Sequence, residues 1–131
     1  EQTRIAVENG TQSATLYKRL DLGGPKFDAC LSGVLSVQSL EDPVGKVSMA
    51  RELDQGLELY RVSCPIGVIC IIFEARPEAA VQIASLAIKS ANAVILKGGK
   101  EAEHSNQALV SAIRKGLKAA AMPIDMVQLV S

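Results

Sequence analysis

The chain predicts an α/β fold in which three parallel strands alternate with two helices, behind an N-terminal helical segment. Three observations predict it. Gly67-Val68-Ile69-Cys70-Ile71-Ile72-Phe73 is a continuous apolar run, rich in β-branched residues and without polar alternation, the pattern of a strand buried on both faces in a parallel sheet. Ala93–Leu96 and Met126–Val130 are two further short apolar runs. Between the three runs lie two long stretches whose apolar residues recur at helical spacing. The order β-α-β-α-β implies parallel pairing with right-handed crossovers.

In chain order, Glu1–Asn9 reads as the end of a helix stopped by Gly10. Ser13 can cap a short helix running to Leu20, with Leu16, Tyr17 and Leu20 on one side. Gly23-Gly24-Pro25 breaks it. From Lys26 to Ser39, Phe27, Cys30, Leu31, Val34, Leu35 and Val37 recur at the spacing of an amphipathic helix. Glu41-Asp42-Pro43-Val44-Gly45-Lys46 is turn chemistry, with Asp42 and Glu41 as loop-capping groups. Leu57, Leu59 and Val62 suggest a half-exposed strand between Gly56 and Pro65. After the first buried strand, Pro77 suits a first helical turn, and Glu78–Ser90 carries Val81, Ile83, Ala84, Leu86, Ala87 and Ile88. The last helix, Glu101–Ala121, is built on Ala102, Leu109, Val110, Ile113 and Leu117, with Arg114, Lys115 and Lys118 near its negative end. Pro123 stands beyond it.

Composition limits the function classes. A chain of 131 residues with 48% hydrophobic residues is consistent with one globular domain and a sizeable core. Balanced charge, with 14 basic and 14 acidic residues, gives no sequence-wide field for nucleic acid or an anionic membrane, so an anion site must be local. The apolar run Cys64–Phe73 is about half the roughly 20 residues a membrane-spanning helix needs. The N-terminus lacks the pattern of a secretory signal, as a trimmed chain or a fragment also would. Three cysteines without a C-x-x-C pair suit a reducing compartment, here the cytoplasm with the mitochondrion as an alternative.

The functional address is Lys97-Gly98-Gly99-Lys100, where the second strand turns into a helix. Uncapped helical N–H groups, minimal side-chain bulk and two lysines favour an anion. In doubly wound sheets the ligand lies beyond the carboxyl ends of the strands, and the tip of the second strand sits near an adenosine ribose. An acidic residue there accepts from the 2′-hydroxyl of NAD, whereas the lysines around this glycine pair favour the 2′-phosphate of NADP(H). The first junction, Phe73-Glu74-Ala75-Arg76-Pro77, contains no glycine, so the G-x-G-x-x-G pyrophosphate cradle is missing. A P-loop is excluded too, because Gly98-Gly99-Lys100 lacks the earlier glycine and the following Ser or Thr.

Pro65-Ile66-Gly67-Val68, Phe73-Glu74-Ala75-Arg76-Pro77-Glu78 and Leu96-Lys97-Gly98-Gly99-Lys100-Glu101-Ala102, with Asp42-Pro43-Val44-Gly45 upstream, together resemble γ-glutamyl phosphate reductase, which is also the reductase half of pyrroline-5-carboxylate synthases. The likeness runs from about Ile5 to Val130. It implies an aldehyde-dehydrogenase-type, Rossmann-like cofactor domain and NADPH-dependent reduction of γ-glutamyl phosphate to glutamate semialdehyde and phosphate, a step of proline synthesis. It implies a homo-oligomer for the full-length parent, and in the wider superfamily a lysine matching Lys97 contacts the adenosine ribose. On this reading residues 1–55 form an N-terminal helical segment and loop, and residues 56–131 a partial NADP-binding domain.

Two departures qualify the likeness. Aldehyde dehydrogenases carry an oxyanion-holding asparagine where this chain has Ala75, with Arg76 beside it; the reductase subfamily itself has a small residue there. The family's catalytic cysteine lies beyond this region, so the chain alone is expected to be inactive. The candidate cofactor contacts are Phe73, Glu74, Lys97, Gly98, Gly99 and Lys100, and the candidate substrate contact is Arg76. Plainer roles compete: Arg76 as a fold-supporting contact, Glu74 as a turn acceptor, Lys100 as a solvated charge, and Cys30, Cys64 and Cys70 as structural, with Cys30 and Cys70 in the core. His104 has no partner at metal-ligand spacing and reads as a surface residue. The rival function is a non-catalytic relative serving as a structural or interaction subunit.

Overall fold

The computed structural model describes residues 14–74 and 76–130. The expected helix end at residues 1–9, the cap Ser13 and the side chain of Leu16 lie outside the described residues. Helix α1 spans Ala14–Leu20 and buries Leu20. Helix α2 spans Pro25–Ser39, its φ-restricted proline at the first helical position. An antiparallel hairpin follows, β1 (Val47–Asp54) and β2 (Leu57–Val62), with Val47 opposite Val62 and Arg51 opposite Leu59. Then come β3 (Val68–Ile72), α3 (Pro77–Lys89), β4 (Ala93–Lys97), a 3-10 turn (Lys100–Ala102), α4 (Glu103–Ala119), a second 3-10 turn (Ile124–Met126) and β5 (Val127–Val130).

Strands β3, β4 and β5 form one parallel sheet in that order, with β4 central. The register places Ile71, Leu96 and Leu129 side by side, and Ile72, Lys97 and Val130 one step further on. Strand residues alternate between faces, so Ile71, Val94, Leu96, Val127 and Leu129 share one face. Both helices cover that face: Ala80, Ala84 and Ala87 of α3 and Val110 and Leu117 of α4 join Val94, Leu96 and Val127 in the core. The alanines recur three and four residues apart, which puts them on one side of α3 and lets it approach the sheet closely. Leu96 is fully buried, and its truncation to alanine carries a cost of about 2–5 kcal/mol.

Among the described residues nothing covers the other face of the sheet along β3, which corrects the expectation for that strand. Val68, Cys70 and Ile72 are exposed, and Ile72 retains 79% of its accessible surface. An unbroken apolar run states that neither face prefers water; it does not supply a second layer to cover them. Cys70 is accordingly exposed rather than a core residue, and Cys30 is only half-buried. Helix α2 departs from its pattern in the same way. It packs on α3, yet none of its residues is buried, and Phe27, Leu31 and Leu35 remain at least half exposed.

Strand β1 is not among the elements expected from the sequence, and it pairs with β2 across the expected 55/56 boundary. Every residue of the hairpin is exposed. Its turn needs Gly56, whose φ is +76°, and its base is closed by Ser63 N–H donating to the Lys46 carbonyl at 3.0 Å and Gly45 N–H to that of Ser63 at 2.9 Å. Upstream, Asp42 Oδ1 accepts from Val44 N–H at 2.9 Å, and Glu41 pairs with Lys46, as loop-capping groups should. The hydrogen bond and charge of Lys46 lower the Glu41 carboxyl pKa. Among the described residues, no helix is long and apolar enough to cross a membrane.

Candidate cofactor site at the carboxyl ends of the parallel strands

Strand β4 delivers Lys97 to the end of the sheet, and the chain leaves through Gly98 and Gly99. The Lys100–Ala102 turn then closes with Ala102 N–H donating to the Gly99 carbonyl at 3.1 Å. The helical start expected at Glu101 is therefore a tighter 3-10 turn, with α4 proper beginning at Glu103. No side chain caps either start; the turn occupies the Ala102 and Glu103 N–H groups, which donate to the Gly99 and Lys100 carbonyls, and leaves those at its own beginning for solvent or a ligand. Lys97 and both glycines are half-buried, and Lys100 is exposed.

A small pocket of about 20 Å³ opens here, lined by Lys97, Gly98, Gly99, Lys100, Glu103, Asn106, Leu129 and Val130. It unites four of the sequence-predicted residues and adds two polar ones that the sequence reading passed over. Glu103 brings an acidic group beside the two lysines. Asn106 is 1% exposed, and its Oδ1 has no hydrogen-bond partner among the described residues. Its signal was present in the sequence: Asn106 stands four residues after Ala102 and four before Val110, on the apolar side of α4.

The other candidates stand apart from this pocket. Phe73 is half-buried behind it, its N–H donating to the Lys97 carbonyl at 3.0 Å and its ring close to Gly98. Glu74 is exposed, and its carbonyl accepts from Arg76 N–H at 2.7 Å. Arg76 is exposed at the start of α3 and contributes no side-chain cap; Ala75 lies outside the described residues. Both belong to the neighbouring strand-to-helix junction at the same end of the sheet. None of the cysteines lines the pocket. Partial burial, and then the charge of Glu78, raises the Cys30 thiol pKa, the opposite of what activates a nucleophile. His104 is exposed on α4.

A larger hollow, about 440 Å³, runs along α4 past Arg114, Lys115 and Lys118 to Ile124 and Leu129. It is an open groove beside the free edge of β5, and Arg114 is engaged with Asp125 at 2.9 Å. The strand-tip pocket is smaller but stands at the carboxyl ends of the parallel strands, where sheets of this kind take their ligands, which makes it the candidate site.

No family model matches the chain. It is 51% identical over 128 residues to a protein of Schizosaccharomyces pombe named probable γ-glutamyl phosphate reductase, covering 97% of this chain and 28% of that protein. It is 60% identical over 116 residues to the γ-glutamyl phosphate reductase of Nostoc punctiforme, covering 88% of this chain and 27% of the relative. Two crystal structures of γ-glutamyl phosphate reductase share the fold. That from Saccharomyces cerevisiae has a TM-score of 0.81 at 46% identity, with 98% of this chain and 34% of that one covered. That from Thermotoga maritima has a TM-score of 0.89 at 39% identity, with 98% and 31% covered. The likeness first carried by the Lys-Gly-Gly-Lys and Phe-Glu-Ala-Arg-Pro-Glu motifs thus extends over nearly the whole chain, in sequence and in fold, and the chain spans about 28% of the length of the S. pombe relative.

Proposed function

We propose that this chain supplies part of the cofactor platform of a γ-glutamyl phosphate reductase, an NADPH-dependent oxidoreductase of proline biosynthesis that converts γ-glutamyl phosphate to glutamate 5-semialdehyde and phosphate. The observation that carries the reading is the convergence of Lys97, two glycines, Lys100 and uncapped N–H groups at the tip of the central strand. These groups fit a phosphorylated ribose, since they combine positive charge with close backbone approach. Lys97 and Lys100 would hold the 2′-phosphate, with Phe73 and Glu74 contributing from the neighbouring strand end and Arg76 meeting the acyl phosphate. Bound there, NADPH would supply the hydride of the reduction. The residues described here bind and orient; the acylated cysteine of the reaction has no counterpart among Cys30, Cys64 and Cys70, and the isolated 131-residue chain is expected to show no turnover. The full-length protein is expected to be a homo-oligomer.

The test is NADPH titration of the full-length protein with Lys97 and Lys100 changed to alanine. Loss of two charge-assisted contacts should raise the Michaelis constant for NADPH by about tenfold or more, and an unaltered constant would sink the assignment. Two other readings have an observation behind them. Glu103 in the same pocket favours NAD, as an acceptor for its ribose 2′-hydroxyl. The exposed hairpin and the bare sheet face favour a structural or interaction subunit, which full-length protein without reductase turnover would support.

A further inference from the structure

Asn106 occupies a position that its helix reserves for apolar residues, yet it is buried and one end of its amide is unpartnered among the described residues. Its other end lies against Gly98, where a Cβ would collide with Asn106 Nδ2 and stand 3.2 Å from Phe73 Cζ. A buried polar atom without a partner is costly, and this one lines the pocket at the strand tips. The pocket's roughly 20 Å³ has room for one water or one hydroxyl beside Asn106. The charged residues of its lining, Lys97, Lys100 and Glu103, place that space beside the turn assigned above to the coenzyme.

We propose that the Asn106 side-chain oxygen accepts a hydrogen bond from a single hydroxyl-sized donor in this pocket, an ordered water or a ribose hydroxyl, and that Asn106 thereby positions the Lys97–Lys100 turn for its anion. The inference rests on the coenzyme reading of the same site. It makes Asn106 a positioning residue: one end of the amide fixes how closely α4 approaches Gly98, and the other joins that contact to whatever enters the pocket.

The experiment uses full-length protein, NADPH as probe, and the variants Asn106→Leu, Asn106→Asp and Lys97→Ala. Asn106→Leu removes the acceptor at similar shape and should weaken NADPH binding about tenfold, the size of one good hydrogen bond, while thermal unfolding shows it folded. Asn106→Asp supplies a readout that a purely packing role would not move. Its neutral carboxyl mimics the amide, whereas its ionised form sets a negative charge beside the bound phosphate. Burial raises such a carboxyl pKa, so affinity should approach the wild-type value at low pH and fall as pH rises through that raised pKa. A profile parallel to the wild-type one would overturn the proposal. A crystal structure with and without NADPH serves even where the variants fail to fold. A water within hydrogen-bond distance of the Asn106 oxygen in both states, or a ribose hydroxyl in the complex, supports the proposal and identifies the donor. An empty pocket in both overturns it. Binding weakened by Lys97→Ala but not by Asn106→Leu defeats this inference and leaves the coenzyme reading standing; no NADPH binding by the wild-type protein defeats both.

Discussion

Gly98 is glycine for want of space, since its φ is not in the left-handed region that demands one. Any side chain there runs into Asn106 and Phe73. Gly98→Ala should therefore cost about 1–3 kcal/mol of stability through overpacking, read by urea unfolding; an unchanged midpoint would mean that α4 yields more easily than its packing implies. The lysines and glycines of this turn were legible in the sequence because charge and missing bulk are properties of the residues themselves. For Asn106 only the position was legible, a polar residue on the apolar side of α4; its significance comes from what it faces. Cys70 shows the converse: its neighbours are all apolar, so the sequence places it in a core, yet it lies on the sheet face that no described residue covers.

At the scale of elements, two helices end alike. After α3, Ala91 takes φ 55°, with Ala91 N–H donating to Ile88 at 3.0 Å and Asn92 N–H to Ala87 at 2.9 Å. After α4, Ala121 takes φ 55°, with Ala121 N–H donating to Lys118 at 3.1 Å and Met122 N–H to Leu117 at 2.9 Å. Both are Schellman closures with alanine where glycine is preferred. Left-handed backbone costs an L-residue about 1–2 kcal/mol, partly offset by the entropy glycine loses on folding. Ala91→Gly and Ala121→Gly should thus each stabilise the protein by up to about 1 kcal/mol in thermal unfolding, and a loss of stability would contradict this account of the closures. Asn92 adds a tie from the first closure to the sheet, its Oδ1 accepting from Gly67 N–H at 2.8 Å. Helix periods and the proline at the start of α3 made the β-α-β-α-β portion legible almost to the residue. Strand β1 was obscured because Ser48-Met49-Ala50-Arg51-Glu52 mixes its faces, as a hairpin exposed at every residue permits.

At the scale of the whole molecule, the sheet is a one-sided layer. Both connecting helices lie over Val94, Leu96 and Val127, and the opposite face carries Val68, Cys70 and Ile72 to the surface. The three parallel strands still bring their carboxyl ends to one edge, and that common edge is what collects Lys97, Lys100, Glu103 and Asn106 from β4, the turn and α4. The pocket therefore sets two lysines, the charge that a 2′-phosphate calls for, beside a glutamate, the acceptor that a 2′-hydroxyl calls for. The most direct measurement is the ratio of NADPH to NADH dissociation constants for full-length wild-type protein and for Lys97→Ala and Glu103→Gln. The account predicts tighter binding of NADPH by the wild type and about a tenfold loss of that preference in Lys97→Ala. A wild type that prefers NADH, with the preference lost in Glu103→Gln and untouched by Lys97→Ala, would contradict it.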